Sequence, residues 1–546
     1  MEAPVGAESV FFNGRVLTMD RQHSKASAFA VVLGGRFVGV GSDREVLNRW
    51  SSPDTMIVDL EGACVLPGFI ESHNHFSAYA ACLDQVDCRA PPNQTIEEIK
   101  VRIMERAASL TPGEWLRGYG FDDTLISDGR HLTRQDLDEV VPNNPVFISH
   151  ISGHLAYVNT RAMELAGIGK GTPQPPGGEI RMDKDGWPTG LLLETALFLV
   201  ARKIPSPEVS GHKALFQEAM THYHRAGITS IHDGAVGYSP EGRVVIQAYR
   251  ELEAEGKLTL RVYLNIMEHL YARMLGLGLG TGFGSNLLKI GCVKLLQDGS
   301  IQGLTAALEE PYHNRPRHRG ELIMPQQQLD ELVEMYHSQG MQIAIHCNGD
   351  RAIESGLRAF KRAQAMHPRE DPRHMIIHCQ LATRDQIRRM KAVGVIPSYF
   401  VNHVYYWGDR HVSLFLGPQR AARIDPLAST LEEGLPFTLH SDMPVTPVDP
   451  MFSIHCAVNR LTRQGELLGA NERIGPLDAM RAYTTYAAMC SFEEDKKGSI
   501  EVGKLADFVV MSEDPLQADS ERIKEIKVLK TVVGGKVVYD IQQPMA

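Results

Sequence analysis

The chain has 546 residues, 43% of them hydrophobic and 22% charged, with 56 basic against 66 acidic side chains and a formal net charge of −10. That length exceeds one small core and calls for a large domain with an accessory one. No basic run tracks phosphates and no apolar run approaches the ~20 residues of a membrane span, which argues against nucleic acid and membrane as partners.

In chain order, "MEAPVGAESVFFNG" lacks a basic segment followed by an apolar one, so no secretory signal is expected. Residues 1–63 read as short strands: "VFFNGRVLTMD" turns at Asn-Gly and "FAVVLGGRFVGVG" at Gly-Gly. Residues 491–546 look alike, with "KLADFVVM" and "VLKTVVGGKVVY" as strands. The two ends are therefore expected to build one small β-sandwich. Between them, residues 64–490 alternate apolar runs with helical stretches, the pattern of a parallel α/β fold. Eight strands are predicted, over 64–73, 228–234, 258–266, 287–296, 342–348, 374–380, 394–400 and 436–442. The helical stretches "QQQLDELVEMYHSQG" and "RDQIRRMKAVG" each end at a glycine, as a helix C-terminus does. Eight such units predict a (β/α)₈ TIM barrel.

The first two strands lie roughly 150 residues apart, where a βα unit needs ~30. Residues from about 78 to 222 are thus expected to form a long insertion beside the barrel mouth. It holds a helix in "PPNQTIEEIKVRIMERAASLTPGEW" and a loop in "GKGTPQPPGGEI".

Polar residues recur where barrel chemistry occurs, at strand C-termini. His73 and His75 close the first strand, Lys294 lies late in the fourth, His346 ends the fifth, His378 the sixth and Asp442 the eighth. Alternation along a strand puts residues i and i+2 on one face, so His73 and His75 should point the same way. One such histidine would be an ordinary core or surface residue. Four, with an aspartate, at one rim ask for a shared cause. Imidazole and carboxylate donors without thiolate suit Zn²⁺, with a position left open for water. Cys347 and Cys379 follow two of the histidines and should face outward, which removes a thiolate zinc site. The eight cysteines show no framework spacing and read as free thiols in the cytoplasm.

The set His-x-His, Lys, His, His, Asp resembles the amidohydrolase superfamily, and within it amidohydrolase family 3, in the branch typified by N-substituted formamide deformylase. Supporting stretches include "LPGFIESHNH", "GHLAYVNTRAMELAGI", "GWPTGLLLETA", "AGITSIHDGA", "VKLLQDGS", "QIAIHCNGDRAI", "LHSDMPV" and "GSIEVGKLADFVVMSEDP". The resemblance implies one or two divalent ions, Zn²⁺ with Mn²⁺ as an alternative, held by His73, His75, Lys294, His346, His378 and Asp442. It further implies that CO₂ carboxylates Lys294 to give a metal-bridging carbamate, that the substrate is a small molecule, and that the protein is a homodimer. The other reading of Lys294 is neutralisation by Asp298, four residues on.

The expected reaction is metal-dependent hydrolysis of an amide-type C–N bond other than a peptide bond, in an N-substituted formamide, N-acyl compound, carbamate or cyclic amide. Asp442 is expected as general base and then acid, and His378 as a stabiliser of tetrahedral charge. His150 and His154 in the insertion, His232 at the end of the second strand, and Tyr405 and Trp407 in the aromatic stretch after strand seven are the substrate-side candidates. That stretch could instead pack against the insertion or a second subunit. The rival activities are a lactonase or esterase on the same scaffold and, last, a non-catalytic assembly protein.

Overall fold

Eight parallel strands form one sheet in the computed structural model, which describes residues 6–90, 92–205, 208–238 and 242–543. The extreme ends of both terminal segments and Pro91 of the first proline pair lie outside the described residues. The strands are β1 (Phe69–Asn74), β2 (Ile228–Val236), β3 (Arg261–Met267), β4 (Leu288–Leu296), β5 (Ile343–Cys347), β6 (His374–His378), β7 (Val395–Tyr399) and β8 (Thr438–Leu439). They pair in chain order. Helices cover the outside, so the strands are buried on both faces, and this is why they read as near-continuous apolar runs. Side chains knit the seam between β8 and β1: Ser72 Oγ donates to Leu439 O at 3.1 Å, and Ser441 N donates to Glu71 Oε1 at 2.8 Å. The chain is a TIM barrel with additional sheets.

Two predicted strands differ in the structure. The run 64–73 is shared between two sheets. Cys64–Pro67 pairs with Phe508–Met511 and Arg15–Leu17 in the terminal sandwich, and only Phe69–Asn74 enters the barrel. The break is at Gly68, where an added Cβ would lie 2.3 Å from the Thr229 side chain. The run 436–442 keeps just two residues as strand, and Asp442 beyond it adopts φ 55°.

The sandwich uses both chain ends. A four-stranded sheet (Ser9–Phe12, Ala28–Val32, Arg36–Gly41, Met56–Asp59) faces a six-stranded one containing Cys64–Pro67, Phe508–Met511 and Val528–Val533. Phe11, Phe29, Phe37 and Phe508 fill the space between, with Phe29 and Phe508 edge to face at 4.9 Å. A polar network joins sandwich and barrel at the N-terminal end of the strands. Arg261 grips Asp507 with two bonds of 2.6 and 2.8 Å, and Glu493 pairs with Lys289 and Lys497.

Between β1 and β2 the chain makes a six-stranded mixed sheet of its own, running from Val86–Asp87 to Pro188–Glu194, with the predicted helix at Ile96–Ala107. Among the described residues no helix is long and apolar enough to cross a membrane.

Candidate active site

The histidines, lysine and aspartate read from the sequence gather at the C-terminal rim of the barrel. Asp442 Oδ1 lies 3.4 Å from His73 Nε2 and 3.3 Å from His75 Nε2. The His378 ring is 5.5 Å from His73 and 4.5 Å from His346, centroid to centroid. Ligand atoms of His73, His378 and Asp442 all fall within 4.8 Å of one another. A bulge helps to aim the first pair. From Ile231–Glu71 to Asp233–Asn74 the paired residues advance by two along β2 and by three along β1, so one residue is extra next to His73. His378 and Asp442 sit in the left-handed region at φ 70° and 55°, where a side chain pays strain, a feature that clusters at functional sites.

The donor set fits a divalent cation. Both nitrogens of His73, Nδ1 of His378, Nζ of Lys294 and Oδ1 of Asp442 are buried without a hydrogen-bond partner. Buried polar atoms are otherwise almost always paired, so a group of orphans converging on one point asks for a missing partner. The outer nitrogens of two other histidines are fixed from behind: His75 Nδ1 meets Gly234 O at 2.9 Å, and His346 Nδ1 meets Asp298 Oδ1 at 3.2 Å. Such contacts set the tautomer that leaves the Nε2 lone pair toward the rim for a metal, with Asn348 Nδ2 3.4 Å from that of His346. Burial pushes the Lys294 ammonium down to about 8, which makes the neutral amine accessible near neutral pH. Asp298 does not neutralise it. Cys347 faces away, packed at helix Asp350–Met366 beside Gly356, and it and Cys379 are buried and free.

A cavity of about 390 Å³ opens over this rim. His75, Lys294, His346, His378 and Asp442 line its floor, and Phe147, Phe198, Ile204, Val236, Tyr238 and Val245 supply apolar wall. The insertion roofs it. Its His150 and His154 both line the cavity. His154 Nδ1 bonds Glu194 Oε2 at 2.9 Å and its ring is 5.8 Å from His346. Burial would lower the His154 pKa, but Glu194 outweighs burial and raises it. His150 is held by Ser152 at 2.8 Å and Asp123 at 3.3 Å.

Three of the predicted substrate-side residues lie outside the cavity lining. His232 packs on Tyr263 at 4.9 Å inside the barrel, where burial and Lys497 hold its pKa at about 3, and does not line the cavity. Trp407 and Tyr405 do not line it either. Trp407 lies against His403 at 4.4 Å, and Tyr405 packs edge-on against Phe452 at 4.9 Å. Their helix, His403–Arg410, meets the insertion through Arg410 and Asp122 at 3.5 Å, so it serves packing, the other reading of that stretch. The stretch sends Phe400, just ahead of the helix, and His403, its first residue, to the cavity instead.

A profile of the amidohydrolase family matches residues 56–539. The chain belongs to the amidohydrolase family. This amidohydrolase is 32% identical over 543 residues to the N-substituted formamide deformylase of Arthrobacter pascens, covering 97% of this chain and 98% of that one. It is 30% identical to the protein LONG AFTER FAR-RED 3 of Arabidopsis thaliana, covering 98% and 92%. Among solved structures, an uncharacterized metal-dependent hydrolase from Pyrococcus furiosus superposes with a TM-score of 0.74 at 28% identity, over 93% of this chain and 100% of that one.

Sequence reasoning missed several residues of the amidohydrolase site. His440 is fully buried, 5.1 Å from His73 and 5.2 Å from His378, with neither nitrogen paired. It stands two residues before Asp442, the same spacing that singled out His73 and His75, so the signal was present. Glu194 had no such signal, and Asp298 was read only as a partner for Lys294, since both roles depend on which histidine they meet in space.

Proposed function

We propose that this amidohydrolase is a metal-dependent hydrolase that cleaves the C–N bond of an N-substituted formamide or related small amide whose nitrogen carries an apolar or aromatic group. The observation that carries the reading is the convergence of unpartnered donors from His73, His378, Lys294 and Asp442 beneath an apolar-walled cavity. His73, His75, Lys294, His346, His378 and Asp442 would hold one or two ions, Zn²⁺ being the best match to this nitrogen and oxygen set. A bound divalent cation supplies a water of lowered pKa and polarises a carbonyl.

The chain's own groups do the rest. Asp442 Oδ1 takes a proton from the attacking water and returns it to the leaving nitrogen. Lys294 loses one proton to give the neutral amine, which adds CO₂, forming an N–C bond as a C=O π bond opens and releasing a second proton, so that an orphaned cation becomes an anionic ligand. Phe198, Val236 and Tyr238 take up the apolar substituent and exclude water from the rim. The eight buried free thiols agree with a cytoplasmic setting.

Metal analysis with a panel of N-formyl, N-acyl, carbamate and lactone compounds tests this. Turnover of aromatic formamides that stops on chelation and returns with Zn²⁺ is expected. Full activity after metal removal would sink the metal reading, and turnover of lactones alone would move the enzyme to the esterase class.

A further inference from the structure

His403 begins the helix that follows β7, at the same rim as the candidate ligands, and its ring lines the cavity floor beside His378. Phe400 and Trp407 clamp the ring, with centroids at 4.6 and 4.4 Å. Behind it, His403 Nδ1 meets His411 Nε2 at 3.1 Å. His411 is fully buried and opens the widened helical turn His411–Phe415, a rare π geometry that recurs at functional sites. Its other nitrogen, Nδ1, is buried with no partner.

These contacts fix the protons. One of the two facing nitrogens must donate. If His403 Nδ1 donated, neutral His411 would carry its proton on Nδ1, as an orphaned buried N–H. If His411 Nε2 donates, what remains orphaned is a lone pair. Buried N–H groups without acceptors are the rarer and costlier case. His411 is therefore the donor, and the single proton of His403 must sit on Nε2, the nitrogen left for the cavity. Burial holds both rings neutral: His411 falls to about 3, and His403, with His411 and Arg410 also acting on it, lies well below the usual histidine range.

We propose that His403 donates its Nε2–H to the substrate carbonyl oxygen, and that His411 is the positioning residue that fixes this tautomer. The role rests on the hydrolytic reading above. A neutral N–H held by two aromatic faces and one hydrogen bond is preorganised for an oxygen that gains charge in the transition state, and needs no proton exchange to meet it.

The test uses the metal-loaded full chain. Nitrogen-15 histidine spectra of the wild type and His403→Phe identify the His403 signals by their loss, and the proton is expected on Nε2. Its presence on Nδ1 overturns the proposal without any substrate being known. Kinetically, His403→Phe is expected to lower kcat by ~10²–10³ with KM and metal content near wild type, the cost of one oxyanion donor. His403→Gln, which keeps an N–H at that reach, should recover all but about tenfold of kcat, and His411→Leu should lose roughly tenfold through a mixed tautomer. Wild-type kcat in His403→Phe, or a Gln variant as slow as the Phe variant, refutes the donor role. The loss is read on whichever carbonyl compound is turned over, so a lactone substrate would overturn the C–N assignment and leave this test standing.

Discussion

Lys294 and Asp298 are four residues apart in sequence and do not pair. Asp298 is spent on His346 Nδ1 at 3.2 Å and on the backbone N–H groups of Asn348, Gly349 and Ala307 at 2.9, 2.8 and 3.0 Å, while Lys294 Nζ is buried without a partner. A lone buried ammonium is costly, and carboxylation removes it. Intact-mass analysis under mild conditions is expected to show one added CO₂, absent from Lys294→Met. That variant should lose most bound metal and at least ~10²-fold in kcat. An unmodified, fully active wild type would rule carboxylation out.

Asp442→Asn keeps an oxygen for the metal and loses the base. Its metal content should stay close to wild type while kcat falls by ~10²–10⁴. Metal analysis beside steady-state kinetics checks both. Near-normal turnover would remove Asp442 from proton transfer.

Phe198 stacks edge-on with Tyr238 at 5.1 Å, and both line the cavity. Phe198→Ala should raise KM about tenfold for N-benzyl formamide and hardly at all for N-methyl formamide, a differential of roughly 1.4 kcal/mol. Equal changes for the two substrates would show that the side chain does not meet the substituent.

Under the barrel, Glu493 lies 2.7 Å from Lys497 and also binds Lys289. Burial would raise its carboxyl, but the two ammonium groups outweigh burial and bring it to about 2, from an ordinary 4.5. A depressed carboxylate stabilises the fold fully above its unfolded value and loses that contribution as pH falls toward the folded one. Glu493→Gln leaves two buried cations unpaired and should cost about 3–5 kcal/mol at pH 7. In urea denaturation the gap between wild type and variant is expected to narrow between pH 4.5 and 2. A gap that does not change with pH would mean that the carboxylate charge contributes nothing.

The barrel was legible because its strands are buried on both faces and its helices end at glycines. The residues that gather at the rim were legible because polar side chains broke apolar runs at one end of several strands. What escaped, His440 apart, depended on tertiary partners. "CVLPGFIESH" is one apolar run, and no local rule marks Gly68 as the crossing from one sheet to another. The insertion strand Leu116–Phe121, "LRGYGF", carries two glycines and an arginine and does not look like a strand. Tyr405 and Trp407 were aromatic and near the mouth, yet a helix has two sides, and theirs faces packing.

The crossing at Gly68 has a consequence for how the protein is made. The strand that leads directly into His73 and His75 is flanked by Arg15–Leu17, synthesised before it, and by Phe508–Met511, synthesised long after it. Its sheet cannot close until Met511 has emerged. Contacts of such long sequence separation form late. A nascent chain stalled before residue 508 would hold every histidine of the centre and still lack one of the two strands that flank Cys64–Pro67.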